Sequence, residues 1–186
     1  MNAAFRTSDD LVHTVVSEFD TTFTWNYERS RPALVKLYEK AKTSQWNAST
    51  DLDWSIDVDP ERVAAELAPG TGDRFNALRD HPDSPVKSWG DKEWLQFSVE
   101  LQSSLLSQFL HGEEGALLCT ARIVETVPWI DAKYYAATQV MDEARHVEVF
   151  AKYLDTKLSG HYPVNAHLRM LLDDIIADDQ IGRAHV

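Results

Sequence analysis

Apolar residues recur at helical spacing through most of this chain. Val12, Val15, Val16, Phe19 and Phe23 fall on one stripe and predict a short helix within residues 1–30. Arg31-Pro32 marks a break, and Pro32 suits the first turn of a following helix. That helix, over 33–45, carries Leu34, Leu37, Tyr38 and Ala41 on one face. Residues 46–60 read as an acidic, aromatic loop containing Trp46 and Trp54. The pattern over 61–67 predicts a short helix that stops before Pro69-Gly70, and 81–85 is rich in turn residues.

The strongest periodicity comes next. Asp91 stands near a helix start, where an acidic side chain is favoured. Trp94, Phe97, Leu101, Leu105, Phe109, Ala116, Cys119 and Ile123 then keep an apolar stripe going to Val127. At ~1.5 Å per residue this helix is about 54 Å long. Pro128 stops it. Asp131 opens another helix running to about Leu158, ahead of Ser159-Gly160. Pro163 and Asn165 lead into a third helical segment over 167–177. No strand alternation, internal repeat or low-complexity tract stands out. The predicted fold class is all-α, a helical bundle centred on one long antiparallel hairpin over 91–158.

Composition narrows the partners. The chain is 44% hydrophobic and 26% charged, the balance of a globular domain. A net charge of −12 argues against nucleic acid, whose phosphates need a basic surface. No apolar run approaches the ~18 residues needed to span a membrane. The N-terminus lacks the apolar core of a secretory signal. The single cysteine, Cys119, excludes an internal disulfide and fits a cytoplasmic setting. The end of the chain, Ile181-Gly182-Arg183-Ala184-His185-Val186, matches one reading frame of a common sequencing-adapter oligonucleotide. That match predicts a coding sequence interrupted near Gln180, a longer parent protein and no native role for residues 181–186.

Candidate chemistry lies in Asp142-Glu143-Ala144-Arg145-His146. On a helix, Glu143 and His146 project from one face a turn apart. Ferrous iron accepts this mix of hard oxygen and borderline nitrogen donors. The hairpin supplies a third donor. Glu113 lies 14 residues before Val127, and Glu143 lies 12 residues after Asp131. Those arms are about 21 and 18 Å long, so antiparallel packing brings the two carboxylates to nearly one height. The neighbours of Glu113 at helical spacing include Leu106, Phe109, Leu110, Ala116 and Leu117; those of Glu143 include Ala136, Val140, Val147 and Phe150. Both therefore fall on apolar stripes, whereas Glu114 points about 100° away from Glu113. Carboxylates brought together on such a face require a cation or a proton.

Glu113 followed 30 residues later by Glu143-x-x-His146 resembles the first helix pair of the ferritin-like di-iron carboxylate superfamily. The pattern is similar to the hydroxylases of bacterial multicomponent monooxygenases and to ribonucleotide-reductase-like oxidases. The resemblance covers 91–158. Together with the adapter-like tail over 181–186, it divides the chain into an N-terminal helical and loop extension over 1–90 and the first part of a ferritin-like di-iron domain over 91–180. It further implies that Glu113, Glu143 and His146 ligate iron, with Asp142 and Arg145 orienting a ligand histidine and balancing charge. The implied cofactor is two iron ions, and manganese–iron pairs use similar ligands. The implied partners are dioxygen, an apolar organic substrate and a reductase or ferredoxin as electron donor.

Two departures qualify the match. No second Glu followed by Glu-x-x-His occurs before Gln180; Asp173, Asp174, Asp178 and Asp179 do not reproduce it, so three of six family ligands are present. Phe150 stands where the reductase radical subunit usually has tyrosine. The resemblance therefore implies an oxygenase-type oxidoreductase whose site is incomplete in this length of chain, with little activity expected from it alone. Two alternatives stay open: a homodimer in which each copy donates Glu113, Glu143 and His146, as an iron-oxidising protein would use, or a non-catalytic helical interaction module. Other residues read more plainly. His111 is a surface or outer histidine, Cys119 an inert buried thiol, Phe109 and Thr120 core packing, and Trp46, Trp54, Trp89, Trp94 and Trp129 loop anchors. The run Asp51, Asp53, Asp57 and Asp59 lacks the glycine and terminal glutamate of a calcium loop.

Overall fold

Prolines and short polar caps fix where the helices begin. The computed structural model describes residues 12–158 and 160–178. Its helices are α1 (Pro32–Thr43), α2 (Pro60–Asp80), α3 (Asp91–Thr126), α4 (Ile130–Lys157) and α5 (Ala166–Ala177). No strand occurs among the described residues. Pro32 and Pro60 occupy the first helical positions of α1 and α2, where the missing N–H costs nothing. Asp59 caps α2 by accepting from the N–H groups of Glu61 and Arg62 at 3.0 and 3.1 Å. Asn165 caps α5 through the N–H of Leu168 at 2.9 Å. At the start of α3, Glu93 reaches back to accept from the Gly90 N–H at 2.9 Å. Val127 is already extended (φ −71°, ψ 140°), as the residue before a proline must be, and α3 ends at Thr126.

The α3–α4 hairpin is the spine of the fold. Its interior contains Val99 and Leu110 of α3 and Ala136 and Leu154 of α4, all buried. α1 packs on α4, whereas α2 and α5 pack on α3. Small residues on α3 admit its neighbours closely. Ser103 and Ser107 are fully buried and return their hydroxyls to the carbonyls of Val99 (3.2 Å) and Ser103 (2.7 Å). Ser107 Oγ also accepts from the Tyr162 N–H at 2.9 Å. A Cβ on Gly115 would meet Leu172 of α5 at 2.3 Å, so glycine there makes room for that helix.

The ends of the hairpin helices match the sequence pattern to one residue, and α5 does likewise. Two expectations are corrected. Residues 12–30 form no helix; they run as an extended strap along the bundle. Val15, Ser17 and Phe19 turn inward while Val16, Glu18 and Asp20 turn out, a period of two. The contacts that hold the strap explain why. Buried Arg122 donates to Ser17 Oγ at 2.6 Å and lies over the Phe19 ring, and the Thr22 N–H donates to the Glu125 carbonyl at 2.9 Å. Further along, Arg29 pairs with buried Asp131 at the start of α4. Likewise α2 does not stop before Pro69 but continues to Asp80. Its later half is held by Phe75, which packs against Trp94 and Phe97 of α3 with ring centroids 6.4 and 5.2 Å apart. That tertiary contact offsets the local cost of proline. The tail over 181–186 lies outside the described residues.

Candidate metal centre

Glu113 lies thirteen positions before Thr126, the last residue of α3, and Glu143 thirteen positions after Ile130, the first of α4. With a short connection and antiparallel packing, equal arms bring the two glutamates to one level. There, three side chains converge. His146 Nδ1 lies 3.1 Å from Glu113 Oε2 and 3.0 Å from Glu143 Oε2. Donor atoms of Glu113, Glu143 and His146 all lie within 4.8 Å of one another, and this is the only such group among the described residues.

Exposure is graded across the cluster. The Glu143 side chain is 17% exposed, Glu113 24% and His146 44%, so the carboxylates sit in the helix seam and the imidazole closes its open edge. Burial pushes the Glu143 carboxyl above its ordinary value; the facing Glu113 adds to this, and His146 opposes it. A proton on Nδ1 serves one carboxylate at a time. A divalent cation would serve both and leave Nδ1 as the nitrogen donor. The donor set, two carboxylates and one imidazole, fits iron or manganese.

The surroundings of the cluster are apolar on one side and open on the other. Phe109 stacks on Phe150 with centroids 6.0 Å apart and planes within 10°. Phe109 is nevertheless 59% exposed and Leu105 54%, so Phe109 is not core as the sequence indicated. A Cβ on Gly112, next to Glu113, would meet nothing within 4 Å. Thr120 turns its hydroxyl onto the carbonyls of Ala116 and Leu117, at 2.9 and 3.1 Å, and is occupied within its own helix. A recess of about 340 Å³ lies elsewhere, between α1 and α4, and includes none of the three cluster residues.

Asp142 and Arg145 bond each other and the end of α1. Arg145 is buried and pairs with Asp142 one turn earlier. Asp142 also accepts from Gln139 Nε2 at 3.3 Å. Arg145 bonds the side chain of Gln45 and the carbonyl of Trp46, and it lies 5.1 Å from the centre of the Trp46 ring. The contacts of His146 are with Glu113 and Glu143, not with Asp142. Gln45 and Trp46 stand about a hundred positions away, and no spacing in the chain points to them.

The remaining candidates are structural. Glu114 is exposed and apart from the cluster. His111 Nε2 lies 2.9 Å from the Tyr162 carbonyl and ties the segment before α5 to α3. Asp51 and Asp53 are consumed by turns, accepting from Asn47 and Ser55 backbone N–H groups at 2.8 and 3.0 Å. Cys119 is half-buried and its thiol is pushed up by desolvation, as an unreactive thiol would be. Two tryptophans anchor loops: Trp54 Nε1 donates to the Ala48 carbonyl at 2.7 Å, and Arg31 lies 3.4 Å above Trp129. Among the described residues no helix is long and apolar enough to cross a membrane. Comparison of the chain with family models, with curated proteins and with solved structures returned no match.

Proposed function

We propose that this chain carries half of a ferritin-like di-iron centre and that the protein is an oxidoreductase acting with dioxygen on an organic substrate. One observation carries the reading: Glu113 on α3 meets Glu143 and His146 on α4 around a common point. Two carboxylates facing each other across a helix seam are unfavourable without a cation. Iron, or a manganese–iron pair, supplies one-electron chemistry toward dioxygen when bound. The chain's own part is to hold the donors. The seam fixes both carboxylates, the helical i, i+3 spacing sets the imidazole, and stacked Phe109 and Phe150 place apolar surface beside them. A reductase or ferredoxin would deliver the electrons.

Anaerobic titration with Fe2+ tests the ligand set. The wild-type chain should bind the ion, and His146→Ala and Glu143→Ala should each weaken binding by more than about 100-fold, beyond the 10–100-fold typical of an outer partner. Equal binding by wild type and His146→Ala would remove the histidine from the site and the reading with it.

The open edge favours a second arrangement of the same donors. His146, Phe109 and Leu105 are exposed, so two copies facing each other would complete six ligands. Sedimentation with and without metal separates the two: a doubling of mass on adding Fe2+ supports the homodimer, and an unchanged monomer with metal bound excludes it.

A further inference from the structure

The ligand-bearing turn of α4 has a second side. Arg145 leaves the helix about 200° around from Glu143 and is 6% exposed. Nη1 donates to Gln45 Oε1 and to the Trp46 carbonyl, the latter at 3.4 Å, while Nη2 donates to Asp142 Oδ1. The Gln45 amide is itself fixed, since its Nε2 donates to the Ala41 carbonyl in the last turn of α1 at 2.8 Å. A continuous chain of bonds thus runs from the end of α1 through Gln45 and Arg145 to Asp142 and Gln139 on α4. The loop after α1 follows α4 further down. Ser49 Oγ donates to Glu148 at 2.8 Å, Lys152 lies over Trp54, and Lys157 donates to the carbonyls of Trp54 and Ile56 at 2.8 and 2.7 Å.

We propose that Arg145 is a positioning residue for the cluster: it splints the turn carrying Glu143 and His146 against the end of α1 and the Trp46 loop. The inference rests on the metal reading above. A metal site tolerates about 0.2 Å in its ligand distances, and a functional constellation must be held within about 0.5 Å and 10–20°. α3 and α1 both pack on α4, and apolar packing sets the roll of a helix less sharply than a directional bond does. Arg145 blocks the roll from the outer face, because a planar fork with several donors and a ring beneath it fixes direction as well as distance. A lysine keeps the charge and loses the fork. The loop over 44–59 thereby becomes a lever on the metal site without touching it.

Co2+ is the probe, since its visible bands report ligand geometry. Affinity, visible spectrum and far-UV circular dichroism are to be compared for wild type, Arg145→Lys and Gln45→Ala at a temperature where each is fully helical. The expected result is a 10- to 100-fold loss of Co2+ affinity in Arg145→Lys with altered bands. Gln45→Ala, at an exposed position, should show the same spectral change with a smaller loss, and it decides the matter alone if Arg145→Lys does not fold. Wild-type affinity and bands in the folded variants would overturn the positioning role while leaving the ligands in place. A wild-type chain that takes up no Co2+ would instead overturn the metal reading itself.

Discussion

Nδ1 of His146 stands 3.1 Å from Oε2 of Glu113, thirty-three positions earlier in the chain and on another helix. The nearness of His146 to Glu143 follows from helix geometry alone. The contact with Glu113 follows only from packing, and it fixes the register of α3 against α4. A slip of one residue would turn Glu113 by about 100° out of the seam and put Glu114 in its place.

Glu113 and Glu114 should therefore separate cleanly. Glu113→Ala is expected to lower Fe2+ affinity by more than about 100-fold, and Glu114→Ala to leave it within about 3-fold of wild type, because an exposed carboxylate outside the site acts only through screened charge. Isothermal titration under nitrogen reads both. A larger loss in Glu114→Ala would place the register one residue off.

Stability without metal should move the other way. Glu143 sits half-buried and its carboxyl is held above its usual value, by burial first and then by Glu113. Its ionisation at neutral pH therefore works against folding. In chelator-treated protein, Glu143→Gln should raise the melting temperature by about 2–4 °C, the shift that ~1 kcal/mol gives in a protein of this size. The same variant should lose most of the further rise that wild type shows with Fe2+. A lower melting temperature in the metal-free variant would mean that the carboxylate is not strained there.

The two glycines flanking this turn of α3 should behave differently. Nothing lies within 4 Å of a Cβ on Gly112, so Gly112→Ala should gain the helix propensity of alanine, about 1 kcal/mol. On Gly115 the same atom meets Leu172 at 2.3 Å. Gly115→Ala should gain less than Gly112→Ala, and Gly115→Leu should release α5, seen as lost helical signal and faster amide exchange over 166–177. Equal gains at both positions would show that α5 is not packed against α3.

Tyr162 supplies a pH signature for the segment that leads into α5. Its hydroxyl donates to Glu100 Oε2 at 2.5 Å, and that bond, together with burial, pushes the phenol up to about 12. The fold favours the neutral phenol. Its stabilising contribution is complete below about pH 10, the value in an unfolded chain, and is lost as pH rises through 12. Tyr162→Phe should therefore flatten the alkaline limb of the stability curve between those values. Superimposable limbs in the two proteins would remove the bond.

Much of the site was legible because it depends on two regular helices. Pro128 and the helix starts near Asp91 and Asp131 bounded the hairpin, and counting back from the turn aligned Glu113 with Glu143. The strap over 12–30 was not legible. Val12, Val15, Val16, Phe19 and Phe23 satisfy a helical stripe, but Arg122, more than a hundred positions away, holds Ser17 and Phe19 in extended form. Local periodicity cannot register a partner so distant. The passage of α2 across Pro69 depended likewise on Phe75 finding Trp94 and Phe97. The resemblance assigns Arg145 an outer role beside the ligands, and its pairing with Asp142 one turn earlier follows from helical spacing. Its partners Gln45, which is exposed, and Trp46, which is half-buried, come from another helix end and carry no spacing signal.

Only residues 127–129 join α3 to α4. The cluster is therefore a product of local chain closure. Its donors meet when one short turn forms, with a small entropic cost compared with sites gathered from distant segments. Glu113, Glu143 and His146 therefore belong to one hairpin and need neither the strap nor the loop after α1 to lie within reach of one another.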